Sequence, residues 1–134
     1  MKHLHVACAI IERDGQVLAA QRSAAMSLPL KWEFPGGKIK PGESPEDCLR
    51  RELVEELNVK VSVKGVLPSA TYDYPDLKVT LYPFICSIEA GKLHANEHAA
   101  LLWLSLDELP SLDWAEADLS LIVDYCRQRN SVQP

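Results

Sequence analysis

The chain opens with two apolar segments separated by a turn signal. Residues 6–12 and 16–20 are rich in small and β-branched apolar side chains, and Asp14-Gly15 lies between them. An Asp-Gly pair between two such segments is the strongest short-range signal for a β-hairpin. The pattern therefore predicts that two antiparallel strands begin the fold.

Residues 23–31 have no hydrophobic period and include a proline, which predicts a loop. The loop leads to Trp32 and then to the pair Gly36-Gly37, where we expect a sharp glycine turn. Pro41-Gly42 predicts a second turn shortly afterwards.

The next segment has the start, the period and the stop of an amphipathic helix. Ser44 stands at the N-cap position with Pro45 in the first helical position, and Asn58 follows the last apolar residue. The apolar positions recur every four residues, at Leu49, Leu53 and Leu57. The pattern predicts a helix from about residue 45 to 57, with one apolar stripe that must face a sheet.

Strand-like segments dominate the remaining sequence. They are rich in Val, Ile, Leu, Thr and aromatic residues, are separated by Pro, Gly or Asn, and cover residues 59–67, 70–74, 77–88 and 100–104. Residues 105–109 predict a short capped helical turn, and residues 114–127 predict a helix. That last helix carries Leu119, Ile122, Val123 and Cys126 at helical spacing.

Composition restricts the function classes. The 134 residues are 47% hydrophobic and 25% charged, which suits one compact domain. A net charge of -5 gives no basic surplus for a nucleic-acid polymer, so we expect none as a partner. The early apolar run at residues 6–11 is too short for a membrane span and lacks a signal-peptide cleavage region, which predicts a cytoplasmic protein with no membrane partner.

The four cysteines are far apart in the chain and form no C-x-x-C pair; they are Cys8, Cys48, Cys86 and Cys126. This spacing fits neither a zinc knuckle nor a disulfide mini-protein. We therefore expect reduced thiols that pack as small core residues.

Three carboxylates share one side of the predicted helix. Glu52, Glu55 and Glu56 project into about one third of its circumference, at roughly 100° per residue. A solvated charged face is the ordinary explanation of such a cluster. Hard oxygen ligands beside a glycine segment and an arginine also suit Mg²⁺ or Mn²⁺, which usually complete their shell with water and substrate phosphate.

These residues also resemble a known motif. Gly37, Glu43 and the run 51–59 reproduce the Nudix box, G-x5-E-x7-R-E-U-x-E-E-x-G-U with U aliphatic, over residues 37–59. Asn58 is the one departure, since the family has glycine there, and Asn tolerates positive φ better than most residues. The opening hairpin, the Glu33 to Lys38 segment and the Trp103 strand extend the resemblance to the small MutT-type Nudix hydrolases.

The resemblance implies an α/β (α+β) Nudix fold over residues 1–134, in which a mixed β-sheet is sandwiched between helices. It implies that Mg²⁺, or Mn²⁺, is held by Glu52, Glu55 and Glu56 with help from the Gly37 carbonyl. Glu43 and Arg51 would orient the loop and the ligand carboxylates, although a plain surface ion pair is an equal explanation of Arg51.

By the same resemblance, Glu97 in the loop before the Trp103 strand is the candidate general base, and a box carboxylate, Glu52, Glu55 or Glu56, is the other candidate catalytic group. A solvated loop carboxylate is the ordinary explanation of Glu97. Residues 94–98 also spell the H-x-x-E-H zinc-protease motif, but that motif needs a helix, and this segment follows a glycine and runs into a strand-like stretch.

The substrate contacts implied by the resemblance lie outside the box, apart from Lys38. Arg22 and Lys38 resemble phosphate contacts, and each could equally be a solvated cation. Phe34 and Tyr74 offer aromatic surface to a base. Asp118 stands where related proteins read the base edge, unless it is an ordinary acid near a helix N-terminus.

The resemblance implies Mg²⁺-dependent hydrolysis of nucleoside triphosphates to nucleoside monophosphate and pyrophosphate. The substrate would be an oxidised purine nucleotide such as 8-oxo-dGTP, in nucleotide-pool sanitation, or a pyrimidine nucleotide such as CTP. One alternative is an ADP-ribose or dinucleotide pyrophosphatase, which Pro75 weakly favours; another is an inactive nucleotide-binding module. The partner would be a small nucleotide, and the chain would act as a monomer or homodimer.

Overall fold

The computed structural model describes residues 2–131, and within that range the chain forms eight strands, two α-helices and one 3-10 helix. The strands are β1 (Lys2–Arg13), β2 (Gln16–Gln21), β3 (Trp32–Glu33), β4 (Gly36–Lys38), β5 (Val59–Val66), β6 (Ala70–Tyr74), β7 (Leu77–Gly91) and β8 (Ala100–Leu104). The helices are α1 (Pro45–Leu57), α2 (Glu116–Ser131) and the 3-10 helix Leu106–Ser111.

The opening hairpin is confirmed. Strands β1 and β2 pair antiparallel, with Glu12 opposite Val17 at the closed end. Asp14 and Gly15 both have positive φ, of 53° and 78°. This left-handed pair matches the twist of the flanking strands, which is why Asp-Gly is favoured there.

Helix α1 begins and ends where its signals predict. The Ser44 hydroxyl accepts a hydrogen bond from the Asp47 backbone N–H at 3.1 Å, which satisfies one of the free N–H groups of the first turn. Asn58 adopts the left-handed conformation at φ 62°, and its N–H donates back to the Val54 carbonyl. Asparagine therefore performs the terminating role of the glycine that the Nudix box has there.

The sheet is mixed. Its main order is β3-β2-β1-β7-β5, with β4 on β1, β6 on β7 and β8 on β2. Strands β1 and β7 run parallel over their long pairing, from Lys2 opposite Leu77 to Ile11 opposite Cys86. The other strand pairs are antiparallel.

The two faces of the sheet form two core layers. Along β1, Cys8 and Ile10 join the layer that includes the α2 residue Leu121. Their neighbour Ala9 faces the opposite layer, where the stripe Leu49, Leu53 and Leu57 of α1 is buried. The predicted mixed sheet between helices is thus confirmed, since the period of two in β1 places one helix on each face.

The glycine turn predicted at Gly36-Gly37 is wrong, because both residues lie in strand β4, opposite Cys8 and Ala7 of β1. Neither residue has a positive φ. A Cβ on Gly36 would stand 1.9 Å from the Ala7 carbonyl oxygen, so the glycine permits a close approach of two backbones instead of a turn.

The apolar face predicted for the last helix is wrong in part. Leu119 and Val123 are 50% and 53% exposed, whereas Leu121, Ile122 and Tyr125 are buried. Apolar residues occupy more than one side of this helix, so spacing could not decide which side the sheet covers. Helix α2 also begins at Glu116, two residues later than predicted.

The remaining differences between the predicted and observed strands are small. Strand β5 ends one residue earlier than predicted and β7 runs on to Gly91.

All four cysteines are free, three of them are buried and Cys126 is half-buried, so the prediction of reduced core thiols is confirmed. No helix within residues 2–131 combines the length and apolarity needed to cross a membrane.

Candidate active site

A cavity of about 500 Å³ opens between β4, α1 and the start of α2. One part of its wall carries carboxylates, which are Glu33, Glu52, Glu56 and Glu97. Another part is apolar and aromatic, with Val6, Phe34, Tyr74 and Leu81. The cavity thus combines a polar region with an aromatic region.

Glu52 and Glu56 lie one helical turn apart on the side of α1 that faces the cavity. Glu56 is only 6% exposed, and its Oε1 atom has no hydrogen-bond partner in the protein. Burial is the main cause that raises the pKa of Glu56 to about 9, and repulsion from Glu52, Glu33 and Glu97 adds to it. A buried carboxylate of this kind is stabilised by a cation that replaces its proton.

Gly37 allows β4 to lie directly against α1. A Cβ on this residue would stand 2.2 Å from Cδ of Glu52, so any side chain would displace the carboxylate. The Gly37 backbone and the Glu52 side chain therefore lie side by side at the cavity wall, as the box residues were expected to do.

Arg51 binds the acidic residues around it. Its Nε and Nη2 atoms donate to the two oxygens of Glu43 at 2.9 and 3.0 Å, and Nη1 donates to Glu52 at 2.7 Å. This bidentate contact lowers the pKa of Glu43 to about 2. Glu55 is 60% exposed, lies 3.6 Å from Arg51 and is not part of the cavity wall.

The donors around the cavity fit a hard cation. Within residues 2–131 no three His, Cys, Asp or Glu side chains converge closely enough to hold a metal ion as they stand. The unpartnered Glu56 oxygen, the adjacent Glu52 carboxylate and the close Gly37 backbone nevertheless supply the oxygen chemistry that Mg²⁺ and Mn²⁺ prefer. These ions bind few protein oxygens and complete their shell with water and phosphate.

Both predicted phosphate contacts line the cavity. Arg22 donates from Nη1 to Glu33 at 2.7 Å and from Nε to the Ser27 carbonyl at 2.6 Å. Lys38, at the end of β4, is exposed. The two cations therefore lie in the same cavity wall as the carboxylates, as a polyphosphate site requires.

The aromatic region contains the three predicted base contacts. The Phe34 N–H donates to Oδ2 of Asp118 at 2.9 Å, and the Tyr74 hydroxyl accepts from the Ala117 N–H at 3.1 Å. Asp118 is buried, and this burial raises its pKa to about 8. An ordinary helix-end acid would be exposed, so the position favours a role inside the cavity.

Sequence reasoning missed Glu33 as a site residue and considered His98 only as part of a zinc motif. His98 Nε2 lies 2.9 Å from Glu33 Oε2, whereas His94 is exposed and bonded to Asn96. Residues 94–98 are not helical, so the two histidines do not form the zinc-protease arrangement. The signal that could have identified Glu33 is a charged residue placed between two aromatic ones.

Comparison with known proteins agrees with this geometry. The family model of the NUDIX domain matches residues 1–125. The CTP pyrophosphohydrolase of Escherichia coli (strain K12) is 39% identical over 129 residues, with 96% of each chain covered. The 8-oxo-dGTP diphosphatase of the same organism is 32% identical, covering 95% of this chain and 99% of the relative.

The fold agrees as well. The solution structure of the E. coli ORF135 protein superposes with a TM-score of 0.85 at 36% identity, covering 98% of this chain and 94% of that one. Nudix hydrolases in general depend on a divalent metal ion, which fits the carboxylate wall. The chain therefore belongs to the Nudix family and is an enzyme of the Nudix hydrolase class.

Proposed function

We propose that this enzyme hydrolyses nucleoside triphosphates to nucleoside monophosphate and pyrophosphate in the presence of Mg²⁺. One observation carries the proposal: a single cavity has two different parts. One part is lined by carboxylates together with Arg22 and Lys38, and the other is an aromatic region that includes Asp118. The first part suits a metal-bound polyphosphate, and the second suits a purine or pyrimidine base.

The relatives support this substrate class. The two E. coli relatives named CTP pyrophosphohydrolase and 8-oxo-dGTP diphosphatase are covered by this chain almost from end to end. We propose CTP and oxidised purine nucleotides such as 8-oxo-dGTP as the substrates to test first. The corresponding role is nucleotide-pool sanitation in the cytoplasm by a domain that spans residues 1–134.

The carboxylates have distinct roles in this proposal. Glu52 and Glu56, with the Gly37 carbonyl and with Glu55 after a change of rotamer, would hold Mg²⁺ or Mn²⁺. When bound, such an ion neutralises phosphate oxygens and lowers the pKa of water. Arg51 and Glu43 keep Glu52 directed toward the cavity, because the guanidinium contacts both carboxylates.

The hydrolysis itself needs a proton acceptor and a charged clamp. Glu97 lines the cavity and is exposed, which supports its assignment as the base that takes the proton of the attacking water. The new phosphorus–oxygen bond forms as the phosphoric anhydride bond to the leaving group breaks. Arg22 and Lys38 bind the charge that develops on the leaving oxygens.

Asp118 is the residue that we assign to recognition of the base. One of its oxygens accepts the Phe34 N–H, and a neutral carboxyl group in this buried position both accepts and donates. It therefore suits a base edge that presents an amino group beside an acceptor. Phe34 and Tyr74 would contact the flat face of the same base.

A substrate screen tests the proposal. The panel contains the common nucleoside triphosphates, 8-oxo-dGTP, ADP-ribose and diadenosine polyphosphates, each with Mg²⁺ and with EDTA. We expect Mg²⁺-dependent release of monophosphate and pyrophosphate from at least one triphosphate. Preferred cleavage of ADP-ribose or a dinucleotide would identify the alternative enzyme, and nucleotide binding without any hydrolysis would identify a binding module.

A further inference from the structure

His98 is an enclosed side chain at the end of an otherwise exposed loop. Its side chain is 1% exposed, whereas Glu97 and Ala99 on either side are exposed. Two backbone hydrogen bonds fix the loop around it, from Asn96 N–H to the Glu56 carbonyl at 3.0 Å and from Ala99 N–H to the Gln21 carbonyl at 2.9 Å. The backbone therefore holds the ring between the end of α1 and the end of β2.

The ring is part of a continuous series of contacts between four side chains. Arg22 Nη1 donates to Glu33 Oε1 at 2.7 Å, and Glu33 Oε2 lies 2.9 Å from His98 Nε2. The other ring nitrogen of His98, Nδ1, lies 3.8 Å from Glu56 Oε2. The series thus joins the arginine assigned to phosphate with the carboxylate assigned to the metal ion.

The chemistry of Glu33 sets the direction of its hydrogen bond with His98. A carboxylate paired with Arg22 accepts hydrogen bonds, so His98 Nε2–H is the donor toward Glu33. The other ring nitrogen, Nδ1, lies 3.8 Å from Glu56 Oε2, which is too far for a hydrogen bond. Within residues 2–131, His98 Nδ1 and Glu56 Oε1 are the two buried side-chain polar atoms that have no hydrogen-bond partner in the protein.

We propose that His98 is a positioning residue for the phosphate-binding arginine. Through Nε2 it orients Glu33, and Glu33 in turn holds Arg22 at the cavity wall. A group that fixes the partner of a ligand-binding side chain sets the rotamer and the affinity of that side chain. The inference rests on the proposed function, because it assigns Arg22 to the polyphosphate.

Two amide substitutions test this role. The amide nitrogen of Gln takes a position close to Nε2 of the ring, and that of Asn a position close to Nδ1. We expect His98→Gln to keep the nucleotide KM within about twofold, because it keeps a donor toward Glu33. His98→Asn should raise KM about tenfold, while the Mn²⁺ Kd, measured without nucleotide by electron paramagnetic resonance, stays within about twofold.

The matched controls are His94→Gln and His94→Asn. His94 lies in the same loop and is exposed, and the hydrogen bond of its ring is made to Asn96. We expect both controls to behave like the wild type. Thermal unfolding is recorded for every variant.

Glu33→Gln offers a second route if a His98 variant fails to fold, and it should raise KM about tenfold through loss of the Arg22 contact.

Two outcomes would overturn the inference. One is that His98→Asn matches the His94 controls in KM. The other is that both variants weaken the two affinities equally and unfold at lower temperature, which would make His98 a packing residue only. A wild-type protein that binds Mn²⁺ but hydrolyses no nucleotide would instead refute the proposed function, and the nucleotide Kd would then replace KM as the test of His98.

Discussion

Glu56 is a buried carboxyl group that must ionise to bind a cation, and this requirement gives the clearest test of the metal site. Replacing it by Gln keeps the shape but removes the charge that a divalent cation requires. We expect Glu56→Gln to weaken Mg²⁺ binding and to lower turnover by about a hundredfold or more, with the fold intact. Turnover titrated against Mg²⁺ and a circular dichroism spectrum measure the two effects.

Glu46→Gln is the matched control for that substitution. Glu46 lies in the first turn of the same helix, outside the cavity wall, where it pairs with Arg50. It should leave turnover unchanged within about twofold. Near-normal turnover of Glu56→Gln at low Mg²⁺ would show that this wall of the cavity does not bind the metal ion.

Glu97 tests the assignment of the general base. A general base contributes about 10² to 10⁴ to the rate, so Glu97→Gln should lower kcat by that factor and flatten the acid limb of the pH profile. Glu89→Gln serves as the control, because Glu89 is an exposed carboxylate of β7 outside the cavity wall. A loss of only a few-fold with the acid limb retained would move the base to Glu52, Glu55 or Glu56.

Asp118 tests base recognition. A buried group that bonds a base edge discriminates against bases that leave it unpaired. We expect Asp118→Ala to reduce the preference for the best triphosphate over the others, with the Mg²⁺ dependence unchanged. Expressed as the free energy that corresponds to the ratio of kcat/KM values, the reduction should be about 1 to 3 kcal/mol. An unchanged ranking of substrates would place the base pocket around Phe34 and Tyr74 alone.

At this scale, sequence reasoning identified residues whose spacing reflects a shared element. Glu52 and Glu56 could be predicted to lie together because a helix repeats every 3.6 residues. Glu33 and His98 are 65 residues apart and meet only through tertiary packing, so no local period indicates their contact. Long-range polar pairs of this kind become visible only in the structure.

At the scale of elements, the contact between β4 and α1 depends on one missing side chain. A methyl group at residue 37 would overlap the Glu52 carboxylate, so Gly37→Ala should weaken Mg²⁺ binding about tenfold or more and lower turnover. Gly65→Ala is the control, since a Cβ at that position in β5 meets no atom within 4 Å. Isothermal titration with Mn²⁺ measures the difference in affinity. Equal Mn²⁺ affinities in the two variants would show that the Glu52 carboxylate can move without weakening metal binding.

Elements with complete start and stop signals were predicted well, as α1 shows. Strands β3 and β4 were missed because two or three residues are too few to display alternation, and because Gly36 and Gly37 resemble a turn in sequence. For α2 the helix was predicted but its buried side was not. Leu119 and Val123 share the apolar character of the buried Leu121, so the packing partner decides the orientation.

At the scale of the molecule, the sheet separates two core layers, yet the cavity receives residues from both helices. Asp118 comes from α2, and Glu52 and Glu56 come from α1. The segment at β4 lies between them, because Gly37 packs against Glu52 and the Phe34 N–H donates to Asp118. The parallel pairing of β1 with β7 joins segments more than seventy residues apart. Sequence patterns predicted the strands but not their order, because side-chain alternation carries no information on which strands are neighbours.

Burial of Asp118 links the site to the stability of the whole protein. Its pKa is about 8 in the folded chain against an ordinary 3.8, so between these pH values the folded state holds a proton that the unfolded state has released. The stability that Asp118 contributes is therefore full below about pH 4 and is lost as pH rises toward 8, by on the order of 1 kcal/mol per pH unit.

Asp118→Asn removes this titration while it keeps the size and an acceptor for the Phe34 N–H. We expect chemical denaturation in EDTA to show a smaller loss of stability between pH 5 and 8 for Asp118→Asn than for the wild type. A residual slope remains, because the raised pKa of Glu56 acts with the same sign. Asp107→Asn, an exposed carboxylate, should follow the wild type. Parallel curves for all three proteins would mean that Asp118 is ionised in the folded protein, and that it meets the base edge as an acceptor only.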